Sequence, residues 1–438
     1  MNLKIIYITL GILSTELLSA QNQTMEMSLE QVVKIARLES PDAQTARHSF
    51  RSAYWNYKYY RANYLPSLSL SSDPNLNRAI NKITMGDGSV KFVEQNLLNT
   101  DLTLNLSQNI PWTGGSLFLE TSAQRMDLFS EHKYSWQTSP IMIGYRQSLF
   151  GYNSLKWDKR IEPVRYQEAK KSYVETLELV SANAINKFFA LATAQSNYDI
   201  ASFNYANADT LYRYAQGRYN IGTITENEML QLELNRLTEE TNRMNARIEM
   251  DNCMQELRSY LGIQEEREIR VRVSSRIPDF SINLNEALAL AYENSPDIQT
   301  MKRRKLESES AVARARANAG LKADIYLRFG LTQTADKLPE AYRNLLDQQY
   351  VSLSISLPIL DWGRGKGQVR VARSNRDLVY TQVEQSRTDF ELNVRKLVKQ
   401  FNLQTQRVRI AVRTDETAQR RSEVARKLYL LGKSTILD

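Results

Sequence analysis

Apolar and polar positions along this chain change period several times, and each change marks an element. From Leu29 to Ala62 apolar residues recur every three or four positions. That predicts a helix broken at Ser40-Pro41-Asp42, where Ser40 or Asp42 caps the second piece and Pro41 sits at its start. After Tyr64-Leu65-Pro66 the period becomes two, with Leu68 and Leu70 alternating with serines, which predicts a strand. The alternation resumes at Leu102, Leu104 and Leu106, at Leu117 and Leu119, at Ile141, Ile143 and Tyr145, and again around Ile325 to Leu331 and Val351 to Leu357. The expected strands are therefore about 65–72 and 140–150, with an inserted hairpin about 101–125, then about 323–332 and 350–359. Such runs have the roughly nine-to-eleven-residue length of a tilted membrane strand. Asn75 to Asn99 reads as loop, part of an enlarged outward connection.

The other extreme is helical. Neither Pro nor Gly interrupts Val164 to Gln216, or Gln368 to Leu431. As helices these stretches would run roughly 80 and 95 Å, longer than one globular core can bury. Leu177, Val180, Ala184, Phe188, Leu191 and Tyr198 recur at coiled-coil spacing within an otherwise polar stretch, so these helices must pack on other long helices. Gly222 and Gly432 end them, each three residues after a tyrosine. Thr223 to Leu261 forms a second long helix closed by Gly262, which makes 217–223 the bend of a helical hairpin.

The chain is also written twice. Leu29 to Asn63 realigns on Leu284 to Asn318 at an offset of 255, and Arg160, Ala215, Tyr219, Gly222 and Thr225 realign on Arg370, Ala425, Tyr429, Gly432 and Thr435 at an offset of 210. The difference places 45 extra residues among the strands of the first copy, between Asp73 and Gln147. The organisation read from this is a signal peptide at 1–20, a first repeat at 21–262, a linker at 263–283 and a second repeat at 284–438. By the same offset, the second hairpin lacks a returning helix of roughly 34 residues.

Composition narrows the function. Lys4, an apolar stretch from Ile5 to Leu13, and Ser19-Ala20 before Gln21 read as a secretory signal peptide. No later stretch reaches the roughly 18 apolar residues of a membrane-spanning helix, so any crossing is made by strands. The net charge of +8 concentrates in one segment: between Arg364 and Lys433 stand 17 Lys or Arg against 7 Asp or Glu. A secreted chain with its basicity on one helix implies a solvated face or an anionic surface, and no nucleic acid. Two histidines, a lone Cys253, no phosphate loop and no metal-spaced cluster leave catalysis, cofactors and metals without residues to stand on. Tyr54, Trp55, Tyr57, Tyr59, Tyr60 and Tyr64 are either an interfacial aromatic belt or packing where helices meet strands, with packing favoured by their helical spacing.

The order helix, strand, strand, long helix, glycine bend, long helix, given twice after a signal peptide, resembles the TolC-like outer-membrane efflux family. The likeness is carried by Arg218-Tyr219-Asn220-Ile221-Gly222-Thr223, by Tyr429-Leu430-Leu431-Gly432-Lys433-Ser434-Thr435-Ile436-Leu437-Asp438, by Leu65-Pro66-Ser67-Leu68 and by Leu360-Asp361-Trp362-Gly363. The resemblance implies an α+β membrane protein: a homotrimer whose chains each give four strands to one shared transmembrane β-barrel, continued by a long periplasmic α-helical coiled-coil barrel. It implies a passive exit duct in the outer-membrane lipid, serving a tripartite efflux pump through a periplasmic adaptor and an inner-membrane transporter. A type I protein-secretion duct is the alternative within transport, and a secreted structural coiled-coil protein the alternative outside it. By the resemblance, Arg218, Tyr219, Asn220, Gly222, Thr223, Gly432, Lys433, Ser434 and Thr435 form the adaptor-docking tip. Tyr429, Glu228 and Asp438 fall on the entrance constriction, where acidic rings select cations. Ser434 departs from the family, which often has a basic residue there.

Overall fold

A computed structural model describes residues 25–265, 267–274 and 280–430. The expected signal peptide at 1–20 and the second bend at 432 lie outside them. In chain order, β1 (Met25–Ser28) leads into α1 (Leu29–Glu39) and α2 (Pro41–Ala62); then come β2 (Ser67–Ser71), β3 (Asn75–Thr84), β4 (Val90–Ile110), β5 (Gly115–Leu128) and β6 (Lys133–Ser148). The helical hairpin is α3 (Ser154–Asn220) and α4 (Glu226–Leu261), followed by β7 (Ile269–Arg272), α5 (Leu284–Asn294), α6 (Pro296–Ala319), β8 (Lys322–Ala335), β9 (Leu346–Ser356) and α7 (Arg364–Leu430). Both Ser-Pro-Asp breaks stand where the sequence puts them: Ser40 accepts a hydrogen bond from the Ala43 amide at 3.1 Å, and Ser295 caps α6 through the Asp297 amide at 3.1 Å.

The chain gathers into two units that do not follow the two repeats, because each unit draws on both halves. The first holds the described residues of 25–52, 170–287 and 397–430. Its core is Val32 and Ala36 of α1, Val180, Ala184, Phe188 and Leu191 of α3, Leu257 and Leu261 of α4, and Ile269 of β7. The heptad-like positions read from the sequence are thus the buried stripe of α3. β7 corrects the reading of 263–283 as linker, since it pairs in parallel with β1, Met25 opposite Ile269. Four-residue strands carry too few positions for a period to be legible. Each supplies alternate residues, Met27 and then Ile269 and Val271, to the core.

The second unit, 53–169 and 288–396, is built on a sheet ordered β2-β4-β5-β6-β8-β9, with β3 also on β4. Here the sequence reading needs a larger correction. Asn75 to Asn99 is no loop: β3 and the distal half of β4 pair from Asn75–Asn99 to Thr84–Val90. No apolar alternation announces this ribbon, because it is largely exposed; its backbone ladder holds it, with an exposed Arg78–Glu94 ion pair at 3.5 Å across it. β2 and β3 lie against successive stretches of the same edge of β4, so they are one strand interrupted at Ser72-Asp73-Pro74. At the interruption the Asp73 amide donates to the Asp101 carboxylate at 3.2 Å. The described residues therefore supply six strand positions to one sheet, where four and a separate inserted hairpin were expected.

β6 is bent by a bulge where two of its residues, Ser139 and Pro140, face one on β8, Thr332. Pro140, which has no amide to offer a ladder, sits inside that bulge. Around the base of the sheet, Tyr57 stacks on Tyr166 of α3 at 4.5 Å and Tyr64 donates to the Leu155 carbonyl at 2.7 Å. The tyrosine cluster is packing for these members, while Trp55 and Tyr59 stay exposed.

Candidate functional site

Two regions of this chain hold the candidate residues: the bend between α3 and α4, and the two faces of the sheet. At the bend the Gly222 amide donates to the Tyr219 carbonyl at 2.8 Å, and the Thr223 amide to the Arg218 carbonyl at 2.9 Å. These paired bonds are a Schellman stop, and they require the left-handed φ of +73° that Gly222 adopts. A Cβ at Gly222 would meet no atom within 4 Å, so within one chain the glycine serves the backbone angle alone. The Thr223 hydroxyl adds a second bond to the Arg218 carbonyl at 2.9 Å.

The chain then restarts at once. The Thr225 side chain accepts from the Glu228 amide at 3.3 Å, while the Glu228 carboxylate accepts from the Thr225 amide at 2.9 Å and hydroxyl at 3.1 Å. This capping box satisfies donors that the first turn of α4 would leave orphaned. The Thr225 amide, then its hydroxyl, hold the Glu228 carboxyl below the usual carboxylate range. In this chain Glu228 is thus a helix cap at the bend.

Arg218, Tyr219, Asn220, Gly222 and Thr223 come together as an exposed turn. Tyr429 falls in the last turn of α7, with only its backbone described. Gly432, Lys433, Ser434, Thr435 and Asp438 lie outside the described residues. Sequence reasoning passed over Ile221, an apolar side chain 75 % exposed at the apex between Asn220 and Gly222. Its signal was available: an isoleucine inside a polar turn has no core of its own to fill.

In the sheet, opposite residues of an antiparallel pair share a face. Leu68, Leu106, Leu119, Ile143 and Phe329 stand opposite one another in turn across β2, β4, β5, β6 and β8, and all five are exposed. The next row, on the other face, runs Ser107, Phe118, Gly144, Arg328 and Tyr350. Gly144 leaves room for the Phe118 ring, whose Cζ would lie 2.0 Å from a Cβ placed there. On this polar face Arg328 donates to Glu120 at 3.0 Å, a half-buried ion pair joining β8 to β5. Trp112 and Trp362 stand exposed in turns at the ends of strands, the first between β4 and β5 and the second after β9.

No helix among the described residues is long and apolar enough to cross a membrane. An exposed apolar face backed by a polar one is instead the pattern of a strand wall between lipid and water. The comparisons agree with it. Residues 287–438 match the family model described as outer membrane efflux protein. The match spans about the last third of the chain. Over nearly the whole chain the fold is that of outer-membrane channels. The Campylobacter jejuni CmeC outer membrane channel matches with a TM-score of 0.67 and 17 % identity, covering 94 % of this chain and 78 % of that one. The outer-membrane channel OprN matches at 0.65 and 16 %, covering 93 % and 82 %. The outer membrane protein VceC from Vibrio cholerae matches at 0.64 and 14 %, covering 93 % and 87 %. Curated protein sequences gave no match. The family resemblance is borne out by the family model over residues 287–438, and the outer-membrane-channel fold by the solved structures over nearly the whole chain.

Proposed function

We propose that this protein is the outer-membrane exit duct of a tripartite efflux pump, working as a homotrimer and without catalysis. What carries the reading is the sheet, whose exposed apolar row lies back to back with a polar face and whose outer edges, β2 and β9, have no further partner strand among the described residues. A strand edge cannot face lipid with its amides unpaired, so the wall must close through further copies. The likeness to outer-membrane channels over 94 % of the chain supports the same conclusion.

The tip formed by Arg218, Tyr219, Asn220, Gly222 and Thr223, with Gly432, Lys433, Ser434 and Thr435 from the second bend, docks a periplasmic adaptor that joins the duct to an inner-membrane transporter. Tyr429 and Asp438 narrow the entrance, and Glu228 caps α4 beside them. The exposed Ile221 gives the docking turn an apolar contact to bury.

The test is crosslinking in cells that also produce a periplasmic adaptor. A photoreactive residue at Asn220 should capture the adaptor, and Gly222→Trp together with Gly432→Trp should abolish both capture and efflux while the trimer still reaches the outer membrane. Capture and efflux that survive the double substitution would rule out docking at these bends.

A further inference from the structure

We infer that the extra hairpin of the first copy is part of the membrane wall itself, so that three chains close an eighteen-stranded barrel instead of a twelve-stranded one. The inference rests on the trimeric duct proposed above and concerns what each chain adds to it. β4 and β5 lie in the sheet between β2 and β6, and β5 is laddered to β4 along its whole length and to β6 from Ser116 to Leu128 with one irregularity between Glu120 and Ser122. Their outward residues keep the phase of their neighbours: Leu106 and Leu119 continue the row that runs from Leu68 to Ile143 and Phe329, and are 39 % exposed each. A hairpin lying in water outside the bilayer has no reason to place leucines in register with a lipid-facing band.

The opposite face says the same. Glu120 on β5 pairs with Arg328 on β8, reaching across β6, which ties the inserted strand to the second repeat on the polar side of the wall. Because the strand positions alternate in direction and are even in number, the free edges of β2 and β9 run oppositely. Copies can therefore join head to tail in antiparallel pairs and close by rotation. With strands spaced about 4.8 Å apart and tilted about 40°, eighteen give a backbone diameter of about 36 Å, against about 24 Å for twelve. The lumen cross-section then more than doubles, so the membrane wall sets no narrow size limit on what passes.

The full-length trimer, with Cys253→Ser as background, carries a nitroxide label at Leu106→Cys, Leu119→Cys or Leu353→Cys in lipid nanodiscs. Accessibility to oxygen and to a water-soluble nickel chelate is then compared. All three sites should favour oxygen to the same degree, and electron microscopy of the same particles should count eighteen strands around three copies. Nickel-accessible labels at 106 and 119 beside an oxygen-favouring 353, or twelve strands around three copies, would overturn the inference and leave the trimeric duct standing. A label at 353 that also favours nickel, or a particle of two copies, would overturn the duct reading and this inference with it.

Discussion

Single residues at the bend do more for the backbone than for any contact within the chain. Gly222 holds φ at +73° in open space, so Gly222→Ala should cost about 1–2 kcal/mol through the left-handed angle alone. Gly217, one turn earlier inside α3, also faces open space but has no left-handed angle, so Gly217→Ala should stabilise by about 0.5–1 kcal/mol. Amide exchange across the bend separates the two, faster in the first variant and slower in the second. Glu228 adds a pH dependence. Its carboxyl is held below its usual value of 4.5, so its stabilisation of the first turn of α4 is complete above that pH and is lost as pH falls through the lower folded value. Glu228→Gln should remove this acid-dependent loss of amide protection in α4, and Thr225→Ala should weaken the cap by about 1 kcal/mol at neutral pH. Elsewhere Glu168 holds Arg303 at 2.5 and 2.9 Å and Thr300 at 2.9 Å. The Glu168 carboxyl is pushed up by burial, but the Arg303 and Thr300 bonds outweigh that and leave it below the ordinary range. Arg303→Ala should therefore destabilise by about 1–3 kcal/mol, measurable as a lower denaturation midpoint.

Among the elements, the sheet is specified by close approaches that only some strands make. Gly144 admits the Phe118 ring and Gly330 admits the Ile141 carbonyl and Met142, both on β6 or its neighbour, where Pro140 already bends the strand. Gly144→Val should overpack this seam at about 1–3 kcal/mol and lower the temperature at which the detergent-extracted oligomer unfolds. The helices are specified differently. α3 buries Val180, Ala184, Phe188 and Leu191 in a core, whereas α7, a helix of 67 residues, leaves Leu378, Leu392, Leu397 and Ile410 exposed. In the trimer proposed above, these exposed apolar side chains meet neighbouring copies. Leu392→Asp should thus yield a folded chain with a normal helical spectrum that no longer extracts as a trimer.

For the whole molecule, the alternation of Leu68 with serines and of Leu106 with Asn105 and Ser107 was enough to announce strands, and the glycine bend at Gly222 was enough to announce a hairpin. Periodicity reports a face, and a face exists only where one side is dry or lipid-bound. The long helices, their buried stripe and the Gly222 stop were legible for the same reason, since coiled-coil spacing and a left-handed glycine each leave a mark in a single stretch of chain. The largely exposed β3–β4 ribbon and the four-residue pair β1–β7 left no such mark. Nor could the sequence tell that Glu228 turns back to cap its own helix, that Arg328 reaches Glu120 two strands away, or that the inserted strands stand inside the sheet. By itself the sequence determined the kinds of element, their order and the places where the chain must turn, because those depend on neighbours a few residues apart. Only the tertiary structure decided which strand lies beside which, because hydrogen-bond ladders join residues far apart in the chain and a strand's own alternation is the same whatever partner it takes.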